Sequence, residues 1–103
     1  MILSEYFHIF SVFESPFFSM RYVYMLRCSD DTLYTGITTD LQKRINEHNT
    51  DSKGAAYTAA RRPVTLVRSC EASSRSAASK LERQIKHLTK SQKLAMIDER
   101  RQT

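Results

Sequence analysis

Five side chains that can move protons or bind ions follow a simple series. Tyr24 and Tyr34 are ten residues apart, Arg44 is ten further on, His48 lies one helical turn beyond it, and Glu82 comes later. A phenol and an imidazole pass protons, a guanidinium presents a planar fork of donors, and a lone carboxylate suits a hard divalent cation that keeps most of its waters. Taken singly, each has a plainer use. Tyrosine in a strand packs its ring on a half-buried pleated surface. Gly36 in a strand marks a bulge or a close backbone approach. His48 alone would be an ordinary core or surface imidazole. Glu82, set among Lys80, Arg83 and Lys86, would form a helical ion pair with Lys86 worth about 0.3–0.5 kcal/mol. The set acquires meaning only if the fold gathers it.

The elements that must do so are legible in outline. Residues Arg21 to Cys28 are β-branched and aromatic in their first half, and Ser29-Asp30-Asp31-Thr32 is a turn cluster before Leu33 to Thr38, which predicts a β-hairpin. Thr39 to Gln42 has the form of a capping box, and Leu41, Ile45 and His48 recur at helical spacing, which predicts a helix over 40–49. Arg44 and His48, four apart, share a face of it. Thr50 to Arg62 predicts no regular element. After Pro63, Val64 to Val67 predicts a third strand. Ser73 or Ser74 can cap a second helix with Ala77, Ala78, Leu81, Ile85 and Leu88 as its apolar stripe, and Ser91 a third with Leu94, Ala95 and Ile97 inward. The expected fold class is α/β, a small ββαβαα sandwich of three strands and three helices.

Composition narrows the partners. The chain has 103 residues, 16 Lys and Arg against 11 Asp and Glu, a formal charge of +5, and 41% hydrophobic residues. That is at most one domain, and it needs no disulfide or metal to hold a core, since domains of roughly 55–65 residues fold alone. Residues 1–19 hold Glu5 and Glu14 and no Lys or Arg, so the positive excess belongs to the rest of the chain. Such an excess suits a polyanion, nucleic acid first. Apolar runs fall well short of the roughly 20 residues that a membrane-spanning helix needs, so no membrane partner is expected. Cys28 and Cys70 make neither a disulfide framework nor a zinc motif, which fits a reducing cytoplasm. The aromatic leader lacks the positive n-region of a secretory signal and the arginines of a transit peptide. Met20 is the expected natural start, which leaves 1–19 as an N-terminal extension and 20–103 as the domain.

The joint pattern resembles the GIY-YIG nuclease family, most closely its small stand-alone branch. The first motif stands as Tyr22-Val23-Tyr24 and the second as Tyr34-Thr35-Gly36. ITTDLQKRINEHN and GAAYTAARRPVTLV follow, and the likeness spans nearly all of 21–97. The resemblance implies a three-stranded, mainly antiparallel sheet flanked by helices and metal-dependent endonuclease hydrolysis of DNA, with branched or single-stranded forms as candidate substrates and DNA repair as a setting. It implies that Tyr24 and Tyr34 lie in the active site, that Arg44 and His48 flank the phosphate, and that Glu82 binds one Mg²⁺ or Mn²⁺. In that scheme Tyr24 is the expected base, taking the proton from water if nearby cations lower its pKa from roughly 10. His48 shares the proton or holds the attacking water, and Tyr34 hydrogen-bonds the phosphate. Two departures stand out. Tyr22 replaces the first glycine of the motif, and no Asn follows Glu82.

Strand geometry adds a condition. Side chains alternate, so both tyrosines reach one site only if the hairpin pairs even with even, for instance Cys28 opposite Tyr34. Gly36 would then be where substrate backbone or a neighbouring helix comes close. Lys53, Arg61, Arg62 and Lys86, with Gly36, are the candidate nucleic-acid contacts, DNA before RNA. Tyr57 either stacks on an unpaired base or packs. With no separate recognition motif, specificity is weak or comes from a protein partner. The competing reading is a nucleic-acid-binding module that keeps the fold without turnover, which the missing Asn favours. A weaker third is an RNA-associated or interaction protein.

Overall fold

The structure, a computed structural model, describes residues 20–50 and 53–102; the expected extension 1–19 lies outside them. Strands β1 (Arg21–Arg27) and β2 (Leu33–Thr38) form the hairpin, and β3 (Thr65–Ala72) pairs antiparallel with the other side of β1, in the order β2-β1-β3. The helices are α1 (Leu41–Thr50), α2 (Ala56–Ala59), α3 (Arg75–Lys86) and α4 (Lys90–Gln102). The expected α/β sandwich with its antiparallel sheet is present. The single-turn α2 is an addition, found in the stretch that predicted no element.

β1 is central and covered on both faces, so Val23, Tyr24, Met25 and Leu26 are buried in succession. Period-2 alternation sorts them. Val23 and Met25 join Ala72, Ala78, Ile85 and Ile97 in a core, where Leu33, Ile37 and Leu81 also pack. Tyr24, Leu26 and Cys28 join Val64 on the opposite face, with Tyr34, Leu41 and Ile45 packed against them. One face is thus plain hydrophobic core under α3 and α4. The other, under α1, carries Tyr24, Tyr34 and His48.

The hairpin turn closes through Cys28 N–H to Thr32 O at 2.9 Å, with Asp31 at φ 69°. That left-handed conformation is one Asp tolerates well. Asp30 Oδ1 accepts from the Thr32 amide at 3.1 Å and hydroxyl at 2.6 Å. On the far side of β1 the register slips between Met25 and Leu26, where Val67 is the extra residue of a bulge.

Several boundaries differ from expectation for local reasons. α1 is capped by Asp40, whose Oδ1 accepts from Lys43 N–H at 3.1 Å; Thr38 Oγ1 accepts from the Asp40 amide one step earlier. α3 is capped by Ser74, as one of the two expected serines. α4 is capped by Thr89 rather than Ser91. Thr89 Oγ1 accepts from Gln92 N–H at 3.1 Å and Gln92 Oε1 from Thr89 N–H at 2.9 Å, a reciprocal capping box. Ala77 and Ala95, expected inward, are exposed. β3 starts at Thr65 and runs on to Ala72, beyond the apolar stretch, because an edge strand need not be apolar to pair. Val64 is buried just ahead of it, its backbone gripped by Asn49: Nδ2 donates to Val64 O at 3.1 Å and Oδ1 accepts from Val64 N–H at 2.8 Å.

Ile85 of α3 is 2% exposed in the core beneath the sheet. Ile85→Ala is expected to cost about 2–5 kcal/mol of unfolding free energy, read as a lowered urea midpoint with an unchanged m-value.

Candidate active site

The hairpin pairs even with even, as a shared site requires. Tyr24 faces Gly36 and Leu26 faces Tyr34, so the partner of Tyr34 lies two residues closer to Tyr24 than in the Cys28–Tyr34 example. Tyr24 and Tyr34 therefore project from one face, with ring centroids 6.4 Å apart. α1 lays His48 onto them, its ring 5.7 Å from that of Tyr24 and 5.1 Å from that of Tyr34. Arg44 stands one turn earlier on the same helix face, near enough for its guanidinium to act electrostatically on the Tyr24 hydroxyl.

A hydrogen-bonded chain runs through the centre. Tyr24 Oη and His48 Nε2 are 2.7 Å apart, and His48 Nδ1 is 2.7 Å from Thr58 Oγ1. Tyr24 is 1% exposed and His48 and Thr58 are 0% exposed. Thr58, which the sequence analysis did not single out, lies on α2. Only its place between Tyr57 and Arg61 in a polar stretch, with no periodicity to mark it, was visible beforehand.

Gly36 makes room for this chain. A Cβ on Gly36 would lie 2.6 Å from Tyr24 Cζ and closer still to Oη. The expectation that substrate backbone or a helix comes close at Gly36 is therefore corrected: the Tyr24 ring itself fills that space. Gly54 serves the same end on α1, where a Cβ would meet Glu47 O at 2.7 Å and His48 Cα at 2.9 Å.

Electrostatics revises the expected state of Tyr24. Burial pushes its phenol above the ordinary value of 10.0. Arg44 pulls downward through its hydrogen bond and charge, while Tyr34 and Glu82 add to the rise. The net shift is upward, opposite to the cation-lowered phenolate expected, because removal from water outweighs one guanidinium. His48 is held below its ordinary 6.5, first by burial and then by the positive charges of Arg44 and Arg62, with Glu47 opposing.

Glu82 stands on α3, which packs on β2 and β1, and its charge is felt at Tyr24. Its Oε2 pairs with Lys86 Nζ at 3.3 Å, the helical ion pair foreseen as the plain alternative. Among the described residues no three of His, Cys, Asp and Glu cluster as a metal cage. One hard oxygen donor already facing a cation fits an ion that takes its remaining ligands from water and phosphate.

The other anticipated cations have partners of their own. Arg44 Nη1 donates to Glu47 Oε1 at 3.0 Å and to Lys53 O at 2.9 Å. Arg61 pairs with Asp30 at 3.0 Å, donates to Tyr57 O at 2.9 Å, and lies 3.9 Å over the Tyr57 ring. Tyr57 also stacks on Tyr34, ring centroids 6.0 Å apart, while remaining 40% exposed. Arg62 Nε donates to His48 O at 2.6 Å, tying the segment before β3 to the end of α1. Lys53 is exposed.

Comparison with known proteins agrees with this arrangement. Residues 20–95 match the GIY-YIG catalytic domain. A UPF0213 protein of Desulfotalea psychrophila is 50% identical over 76 residues, covering 74% of this chain and 69% of that one. A UPF0213 protein of Staphylococcus haemolyticus is 51% identical over 80 residues, 78% and 96% of the two chains. The solution NMR structure of a UPF0213 protein from Bacillus halodurans shares 39% identity and a TM-score of 0.51 over 77% of this chain and 83% of that one. The chain belongs to the GIY-YIG family, whose domain is that of a nuclease and points to nucleic acid as the partner. No helix among the described residues is long and apolar enough to cross a membrane.

Two outcomes are expected. Gly36→Ala forces the Tyr24 ring aside; the hydrogen bond to His48 breaks, and the melting temperature falls together with any activity of the site. Because His48 is neutral when folded and titrates lower than in the unfolded chain, the unfolded state binds more protons below about pH 6.5. Stability is thus full above that pH and declines as pH falls toward the depressed folded value. Thermal melts of wild type should show that limb, and His48→Gln, which cannot charge there, should flatten it.

Proposed function

We propose that the protein is a metal-dependent endonuclease that hydrolyses phosphodiester bonds of DNA, with branched or single-stranded forms as substrates. The observation that carries this reading is the buried Tyr24–His48–Thr58 chain, with Arg44 beside its phenol end and the Glu82 carboxylate within electrostatic reach. A structural hydrogen bond in a core has no need of a guanidinium and a carboxylate around it, whereas phosphoryl chemistry needs each of them.

Tyr24 Oη receives a proton from the attacking water while its own proton passes to His48 Nε2. This is a relay, in place of the standing phenolate that burial disfavours. Arg44 swings its fork toward two phosphate oxygens, exchanging its contacts with Glu47 and the Lys53 carbonyl. Tyr34 donates its hydroxyl to the phosphate. Glu82 would hold one Mg²⁺ or Mn²⁺, releasing Lys86 to the DNA backbone. The ion supplies neutralisation of phosphate charge and stabilisation of the leaving alkoxide. Lys53 and the other exposed cations track the strand on either side, which positions it without reading sequence. Free Cys28 and Cys70 suit a reducing cytoplasm.

Labelled linear, single-stranded and branched DNA, incubated with Mg²⁺, Mn²⁺ or chelator, tests this. Cleavage should need metal and fall at least about 100-fold in Tyr24→Phe and in Glu82→Ala. Equal activity in those variants would point to a contaminant. The lack of an Asn after Glu82 favours a binding module as the second reading. Salt-sensitive DNA binding with no cleavage under any metal would establish that module instead.

A further inference from the structure

We infer that Thr58 is a positioning residue: its hydroxyl accepts the Nδ1 proton of His48 and so keeps Nε2 bare to receive the proton of Tyr24. Its use in turnover rests on the nuclease reading above; the placement of the proton does not.

The Thr58 end of the imidazole fixes the tautomer, and the Tyr24 end fits it. Thr58 Oγ1 lies 3.0 Å from Ala55 O, an acceptor only, so the single hydroxyl proton is directed there and the oxygen's lone pair faces Nδ1. At the other end, Tyr24 Oη is 2.7 Å from Nε2; with Nδ1 protonated, Nε2 of the neutral ring is the acceptor and the phenol the donor. Nδ1 therefore carries the ring proton and Nε2 none. When the Tyr24 proton crosses, the O–H bond breaks, an N–H bond forms at Nε2, and the positive ring keeps its Nδ1–H bond to Thr58. An acid group often serves this purpose; here a neutral hydroxyl holds the tautomer without raising the basicity of a ring whose neutral form burial already favours.

The fold holds Thr58 in place by three separate contacts. Gly54 lets the segment lie directly on the α1 backbone at Glu47 and His48. Tyr57, next to Thr58, stacks on Tyr34 and lies under the Arg61 guanidinium. Ser29 N–H donates to Arg61 O at 2.9 Å, tying the end of α2 to the hairpin turn. A helical turn of four residues has little stability of its own, so these contacts are what fix the hydroxyl.

Two-bond ¹H–¹⁵N correlation spectra of the full chain labelled at histidine nitrogen, recorded at neutral pH without metal, read the tautomer directly. Wild type should show protonated Nδ1 and bare Nε2 at His48. Thr58→Val should lose that pattern, and its kcat for DNA cleavage should fall roughly 10- to 100-fold with KM nearly unchanged. Thr58→Ser should restore both. A wild-type spectrum with protonated Nε2 overturns the proposal whatever the variants do, and so does a folded Thr58→Val chain with unchanged tautomer and kcat. If wild type shows the expected tautomer but cleaves nothing, the nuclease reading fails while the assignment of Thr58 stands.

Discussion

The hydrogen bond between Tyr24 Oη and His48 Nε2 ties β1 to α1 between two side chains that are almost wholly buried. Leaving either group unpaired there would cost about 1–3 kcal/mol, more than the bond itself contributes net. The surroundings are therefore constrained to keep it. The hairpin must pair even with even to bring Tyr34 to the same face. Residue 36 must lack a Cβ, since the Tyr24 ring lies across it. The turn of α1 must bring position 48, and not 47 or 49, over the sheet. This polar contact lies within the packed layer formed by Leu26, Cys28, Val64, Leu41 and Ile45, so the site and half of the core are one structure.

The sheet divides labour between its faces. Val23 and Met25 alternate with Tyr24 and Leu26, so the same strand supplies apolar contacts to α3 and α4 on one side and the phenol to α1 on the other. Glu82 belongs to the helix layer on the apolar side, yet its charge bears on Tyr24. With β2 at the edge of the order β2-β1-β3, groups from the two layers can act on one place past a single strand. Were β2 central, another strand would stand between them.

What was legible in the sequence follows the range of the forces involved. The hairpin, α1 and α3 rest on local periodicity and turn chemistry, and all three stand where those signals put them. Tyr24, Tyr34, Arg44 and His48 were recognisable as a set because strand alternation and helical spacing are short-range rules. Thr58 was not, because its contact with His48 depends on a loop docking through Gly54, and no period in Gly54 to Arg62 announces it. The same limit explains the caps. Thr39 and Ser91 had suitable side chains, but Asp40 and Thr89 had suitable backbone positions, and sequence alone ranks those poorly. The state of Tyr24 escapes the sequence for a different reason: Arg44 is visible there as a charge, while the burial that outweighs it is a property of the whole fold.

That raised phenol decides which kind of base the proposed hydrolysis can use. Even at ordinary values near 10 and 6.5, moving a proton from tyrosine to histidine is uphill by roughly 5 kcal/mol. Burial raises the first and lowers the second, so the charge-separated pair is too rare to wait for substrate. The transfer can proceed only in concert with attack at phosphorus: as the water oxygen bonds to the phosphate, Tyr24 takes its proton and gives up its own, so that no buried phenolate persists. Such a concerted step needs an acceptor already aligned and already bare at Nε2. A neutral hydroxyl is the better anchor for that purpose, because a carboxylate at Nδ1 would favour a charged imidazole at rest and leave Nε2 occupied. The apolar surroundings, the depressed histidine and the threonine behind it thus answer a single requirement: a neutral resting site that accepts one proton at one atom.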